Sequence, residues 1–158
     1  MSEFGFIGLG RMGQSMAINM SKKGFGLAVF DIREGAMKPF TQFNNCRQAM
    51  SANDTIGSGA NIITVLPGPA EVESVVLAKG GLLDEMKEGS VLMDLSTVLP
   101  ETTDKLAKAA KKRGCHFVDA PIGRLAQHAD SGESLFMVGA EDEAFEIVQP
   151  ALEAMGTT

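Results

Sequence analysis

The 158-residue sequence has no tryptophan and no tyrosine, only two cysteines and two histidines, and fewer basic than acidic side chains. Most of these shortages exclude a class of protein. Cys46 and Cys115 form no CxxC pair and no cluster with His116 or His128, so no metal site is expected and a reduced, cytoplasmic setting fits. With 14 Lys and Arg against 20 Asp and Glu, the formal net charge is −6, which sets nucleic acid and anionic membrane surfaces aside as main partners. No apolar run reaches the roughly 18 residues that a spanning helix needs. No basic segment followed by a small-residue cleavage site opens the chain, so no export signal is read.

What is present is the balance of a soluble globular domain, 44% hydrophobic and 22% charged, with 10 methionines that read as core filler. Phe4-Gly5-Phe6-Ile7-Gly8 is a short apolar run opening into glycines, as a buried first strand does. Arg11 to Lys23 reads as a helix with Met12, Met16 and Met20 on one face and Gly24 as its stop. Leu27 to Phe30 is a second buried strand ending at Asp31. Weaker signals give a helix around 33–40, a strand near Cys46 and a short helix before Gly59. Further strands are expected over Asn61–Leu66, Ser90–Leu95, His116–Asp119 and Leu135–Val138. Helices are expected over Glu71–Leu77, Leu82–Met86, Glu101–Arg113 and from Glu141, the last interrupted near Pro150. This alternation implies βαβ units in one α/β domain over 1–158, a doubly wound, mostly parallel Rossmann sheet with helices on both faces.

Gly8-Leu9-Gly10-Arg11-Met12-Gly13 fits GxGxxG between a strand and a helix, the context in which that motif binds dinucleotides. Gly8 makes the tight turn, Gly10 lets backbone approach a pyrophosphate, and Gly13 lets the helix pack on the strand. The helix N-terminus offers free N–H donors and partial positive charge. Asp31 stands at about the expected distance, roughly 20 residues on, where a carboxylate accepts both ribose hydroxyls of NAD and repels the 2′-phosphate of NADP. Arg33 is a guanidinium that could hold that phosphate, and NAD is read over NADP.

Four segments together are similar to the β-hydroxyacid dehydrogenases, the family of 3-hydroxyisobutyrate dehydrogenase. They are Phe6 to Gly13 with Met16-Ala17 and Asn19, Leu66-Pro67, Asp94-Leu95-Ser96-Thr97 with Pro100, and Asp119-Ala120-Pro121-Ile122. The resemblance covers essentially the whole chain. It implies a Rossmann domain followed by an all-helical domain that this chain lacks, Leu9, Arg11 and Met12 in the pyrophosphate loop, Leu66 and Pro67 along the ribose path, and Thr97 by the nicotinamide. Taken alone, Thr97 reads as a helix cap before Pro100. Where the family usually continues Asp-Ala-Pro with Ser-Gly-Gly, this chain has Gly123-Arg124-Leu125. That is similar to the branch containing sulfolactaldehyde reductase, in which an arginine grips the anionic end of the substrate, although Leu125 replaces a threonine there. Succinic semialdehyde or 4-hydroxybutyrate places an anion at similar reach.

In that family the general acid/base is a lysine on a helix of the second domain, and no lysine follows Lys112 here. The expected activity is therefore that of the cofactor half of an NAD-dependent oxidoreductase acting on a small anionic hydroxyacid or its aldehyde, homo-oligomeric at full length, with this chain nearly inert by itself. A stand-alone NAD-sensing module is the other reading. A 6-phosphogluconate dehydrogenase is a third, against which Gly10 stands, since relatives of that enzyme typically carry alanine there and favour NADP.

Overall fold

A computed structural model describes residues 3–57 and 61–157. Six strands, β1 (Glu3–Ile7), β2 (Gly26–Phe30), β3 (Cys46–Gln48), β4 (Asn61–Thr64), β5 (Val91–Asp94) and β6 (His116–Asp119), form one wholly parallel sheet in the order β3-β2-β1-β4-β5-β6. The strands read as unbroken apolar runs because both faces are buried. Phe4, Phe6, Ile63, Val91, Met93 and Val118 pack against α1 (Arg11–Lys22), α5 (Ala126–Ser131) and α6 (Asp142–Met155) on one side. Ile7, Ile62 and Leu92, at alternate positions, pack against α2 (Pro69–Leu77), α3 (Leu82–Glu85) and α4 (Pro100–Lys112) on the other. No helix among the described residues is long and apolar enough to cross a membrane.

Between β1 and β4 the winding reverses, and the C-terminal strand ends part there into a crevice, the place where open α/β sheets take ligands. The expected helix at 33–40 is a 3-10 helix over Glu34–Gln42, and the one before Gly59 is a 3-10 turn over Asn53–Ile56, with Gly59 itself outside the described residues.

Three expectations differ from what folds. The helix from Asp142 runs through Pro150 to Met155 without a break. Proline inside a helix costs about 3 kcal/mol, but Pro150 faces solvent, where water can take up the Glu146 carbonyl it frees, while Val148, Ala151, Leu152 and Met155 are buried. The strand expected over 135–138 is shorter: β7 (Ser134–Leu135) pairs with a second two-residue strand, β8 (Gly156–Thr157). Phe136 and Gly139 then make single antiparallel bridges to Ile122 and Asp119. Pro121 lies between those bridges and lacks the N–H that a continuous ladder would use. The third difference is α5, a short helix closed by left-handed Gly132, where no helix was expected.

Candidate functional site

The crevice holds a cavity of about 670 Å³, floored by the glycine turn and walled by the ends of β2 and β4 and by the first turns of α2. The three motif glycines are there for different reasons. Gly8, at φ +97°, donates its N–H to the Phe30 carbonyl at 2.9 Å, and a Cβ on it would stand 2.0 Å from the Val65 carbonyl oxygen. A Cβ on Gly13 would stand 2.0 Å from the Gly8 carbonyl oxygen, so α1 lies directly on the turn. Gly10, the N-cap of α1, is unlike both: no atom beyond its chain neighbours and its own helix lies within 4 Å of its would-be Cβ, and Gly10 lines the cavity. The first turn of α1 carries no acidic residue, and its leading N–H groups have no intrahelical acceptor. This end of the cavity can take an anion.

Asp31 is buried at the end of β2, on the cavity wall. Its Oδ2 accepts the Leu9 backbone N–H at 2.8 Å, and its Oδ1 accepts the Arg33 backbone N–H at 2.8 Å and Arg33 Nε at 3.2 Å. Burial alone would raise its pKa, but the two backbone donors and the guanidinium outweigh it and hold the carboxyl below its usual range. A carboxylate has about four acceptor positions, so this one has a single position left while Arg33 stays. The Arg33 side chain is two-thirds exposed at 66% and also donates Nη2 to the Leu9 carbonyl at 3.3 Å; its displacement would open a second. Ile32, with its side chain left almost wholly to solvent, edges the same wall. An isoleucine just past the strand end, between the charged Asp31 and Arg33, is the signal by which sequence alone could have marked it.

The other expected residues fall into two groups. Met12, Leu66 and Pro67 line the cavity, as does Arg11. The Arg11 guanidinium, however, grips Asp130 of α5 with both terminal nitrogens, at 2.6 and 2.5 Å, and Ser15 Oγ also donates to that carboxylate, so Asp130 is held well below the usual carboxylate range. Leu9 is in the core and meets the site only through its backbone. Thr97 is exposed past β5 and does not line the cavity; nor does it cap α4, whose N-cap is Leu99. Gly123, Arg124 and Leu125 are exposed in the segment after β6, also outside the cavity. There Gly123 N–H reaches the Leu135 carbonyl at 2.8 Å and Arg124 Nη1 the Glu133 carbonyl at 3.1 Å. The strand order therefore sets the cavity, then Thr97, then Arg124 along one edge of the sheet. His128 lies in α5, with Nδ1 buried and lacking a partner among the described residues. The lysines of α4 serve the surface, where Lys105 pairs with Glu73 of α2 at 3.1 Å rather than with Glu101 one turn back.

Residues 3–158 match the family model described as the NAD binding domain of 6-phosphogluconate dehydrogenase. The chain is 39% identical over 155 residues to 2-(hydroxymethyl)glutarate dehydrogenase of Eubacterium barkeri, covering 98% of this chain and 51% of that protein. It is 36% identical over 156 residues to the NAD-dependent L-serine dehydrogenase of Pseudomonas aeruginosa, covering 99% and 52%. Among solved structures it is similar to a 3-hydroxyisobutyrate dehydrogenase from Salmonella typhimurium, with a TM-score of 0.91 at 26% identity over 99% of this chain and 54% of that one. The chain spans about half the length of the curated relatives it matches.

Proposed function

Because the chain belongs to the family of the NAD binding domain of 6-phosphogluconate dehydrogenase, we propose that it is the cofactor half of an NAD-dependent oxidoreductase interconverting a small anionic hydroxyacid and its aldehyde. The observation that carries this reading is Gly10. Gly8 and Gly13 are required by the protein's own backbone, whereas nothing in the protein fills the space in front of Gly10. A glycine there is explained by a ligand that comes up against the backbone.

In this reading the pyrophosphate lies against Gly10 and the free N–H groups of α1, and Met12 packs beside it. Asp31 takes the adenosine ribose once Arg33 has swung off Oδ1, and Ile32 offers the base an apolar face. Leu66 and Pro67 flank the path toward the nicotinamide, which Thr97 meets beyond β5. When bound, the cofactor gives or takes a hydride at that end. Gly123, Arg124 and Leu125 border the substrate, with the guanidinium drawing its carboxylate or sulfonate to the sheet edge. The proton donor belongs to a second, helical domain of the working enzyme, which we place in the cytoplasm as a homo-oligomer.

Fluorescence titration of this chain with NADH and NADPH tests the reading: NADH binds, and more tightly than NADPH. Asp31→Asn narrows the gap, because it removes the charge that repels a 2′-phosphate while the amide oxygen still accepts the Leu9 N–H. A wild type that prefers NADPH would assign the choice to Arg33 instead.

In the full-length enzyme, Arg124→Ala lowers kcat/KM for the anionic substrate at least about tenfold and leaves NADH affinity alone. A charge-assisted hydrogen bond contributes roughly 1.5–3 kcal/mol, and about 1.4 kcal/mol is one decade. Lysine restores only part, since it lacks the planar fork. An unchanged kcat/KM for every short anionic aldehyde would reduce Arg124 to a surface charge.

A further inference from the structure

At the end of β4 the chain leaves the sheet in two steps. Val65 N–H still reaches the Ile7 carbonyl at 2.9 Å, so β1 holds that residue. One residue on, Gly8 has turned out of the strand line, and the Leu66 N–H donates instead to a side chain, Ser96 Oγ, at 2.9 Å. Pro67 has no N–H to anchor it. The cavity wall formed by Leu66 and Pro67 therefore hangs on the Ser96 hydroxyl.

Ser96 is in turn fixed from below. Its backbone N–H donates to Asp94 Oδ1 at 3.1 Å, and Thr64 Oγ donates to the same oxygen at 2.8 Å. Asp94, Thr64 and Ser96 are all buried, Asp94 to 1% exposure, and Asp94 Oδ2 has no partner among the described residues. Burial pushes the Asp94 carboxyl above its usual range despite these donors. A buried, half-satisfied carboxylate is a costly thing to keep, and strand pairing does not require it. Thr64 and Asp94 are already register partners, and Leu95 N–H reaches the Thr64 carbonyl at 2.9 Å through backbone alone. What the side chains add is the direction in which Leu66 leaves the sheet.

We propose that Thr64, Asp94 and Ser96 are positioning residues for dinucleotide binding: one oxygen of Asp94 ties the ends of β4 and β5 together and sets Ser96, whose hydroxyl holds the Leu66–Pro67 wall of the cavity. This rests on the reading of that cavity as the dinucleotide site.

The test compares NADH dissociation constants, melting temperatures and hydrogen exchange at the Leu66 amide in the 158-residue chain. Ser96→Ala raises the dissociation constant about fivefold or more, the effect of one neutral hydrogen bond. It speeds exchange at Leu66 while moving the melting temperature little, because water can reach the partly exposed Leu66 segment. Asp94→Ala loses affinity likewise, and Asp94→Asn, which keeps an acceptor in place of Oδ1, recovers most of it. Thr102→Ala is the control: it deletes a buried hydroxyl that bonds Glu73 at 2.8 Å, neither residue lining the cavity, and leaves NADH affinity unchanged. If the wild type binds no dinucleotide, the reading of the cavity fails and this inference with it. If the wild type binds and Ser96→Ala matches it, or if Thr102→Ala weakens binding as much, only the positioning role is overturned.

Discussion

Gly10→Val is expected to bring NADH binding below detection, at least about a hundredfold weaker, in a protein that still folds and melts close to the wild type. Gly10 sits at φ −67° and ψ −168°, extended backbone that any residue adopts, so valine meets no conformational penalty there. Its Cβ would touch nothing within 4 Å. The one structural cost is at the helix cap, where valine is poorer than glycine by about 1 kcal/mol or less, a shift of roughly 2–4 °C for a domain of this size. The ligand meets a different situation. In the proposed site two methyl groups stand where the pyrophosphate comes against the N–H groups of α1, and those donors cannot be reached around a branched side chain. Titration and thermal melting of the same sample separate the two effects. Undiminished NADH binding would remove Gly10 from the site and with it the observation on which the function rests.

The parts of this fold that sequence makes legible are those in which local pattern and tertiary demand agree. Ile62-Ile63 and Val91-Leu92-Met93 read as buried strands because each face of the sheet has helices over it, and alternate residues do enter separate cores. The glycine spacing gave the crevice, and Asp31 lies on its wall. Legibility ends where distant residues compete for the same group. Arg11 lines the cavity, and its guanidinium is held by Asp130, a carboxylate that no local pattern associates with it. The Asp31 carboxylate was expected open to two hydroxyls, yet three donors already occupy it. Pro150 looked like a break because propensity says so, and the burial of Val148, Ala151, Leu152 and Met155 overrides it. The Thr64–Asp94 and Leu66–Ser96 contacts join residues 30 positions apart at the ends of adjacent strands, visible only once the strand register is known.

Gly8→Ala is the opposite experiment on the same motif, expected to damage the fold first and binding only as a consequence. At φ +97° an alanine is strained by about 1–3 kcal/mol wherever it sits. Here its Cβ would also lie 2.0 Å from the Val65 carbonyl oxygen and 2.8 Å from the carbonyl carbon. Those are backbone atoms of a residue whose N–H is bonded to Ile7 between β1 and β4, so relief requires the two central strands to part. Overpacking of this kind costs roughly another 1–3 kcal/mol, and together the two terms take a large share of the 5–15 kcal/mol by which domains are stable. The two terms together come to roughly 2–6 kcal/mol, and a loss near the middle, about 4 kcal/mol, corresponds to a melting temperature lower by roughly 8–16 °C. Gly13→Ala keeps helical backbone but drives its Cβ 2.0 Å from the Gly8 carbonyl oxygen, so it falls between Gly8→Ala and the wild type. The order matters more than any single value. Stability lost at Gly8 and Gly13 with binding lost at Gly10 separates glycines that serve the turn from the one that serves the ligand. Equal destabilisation by all three substitutions would make the segment an ordinary strand-to-helix turn.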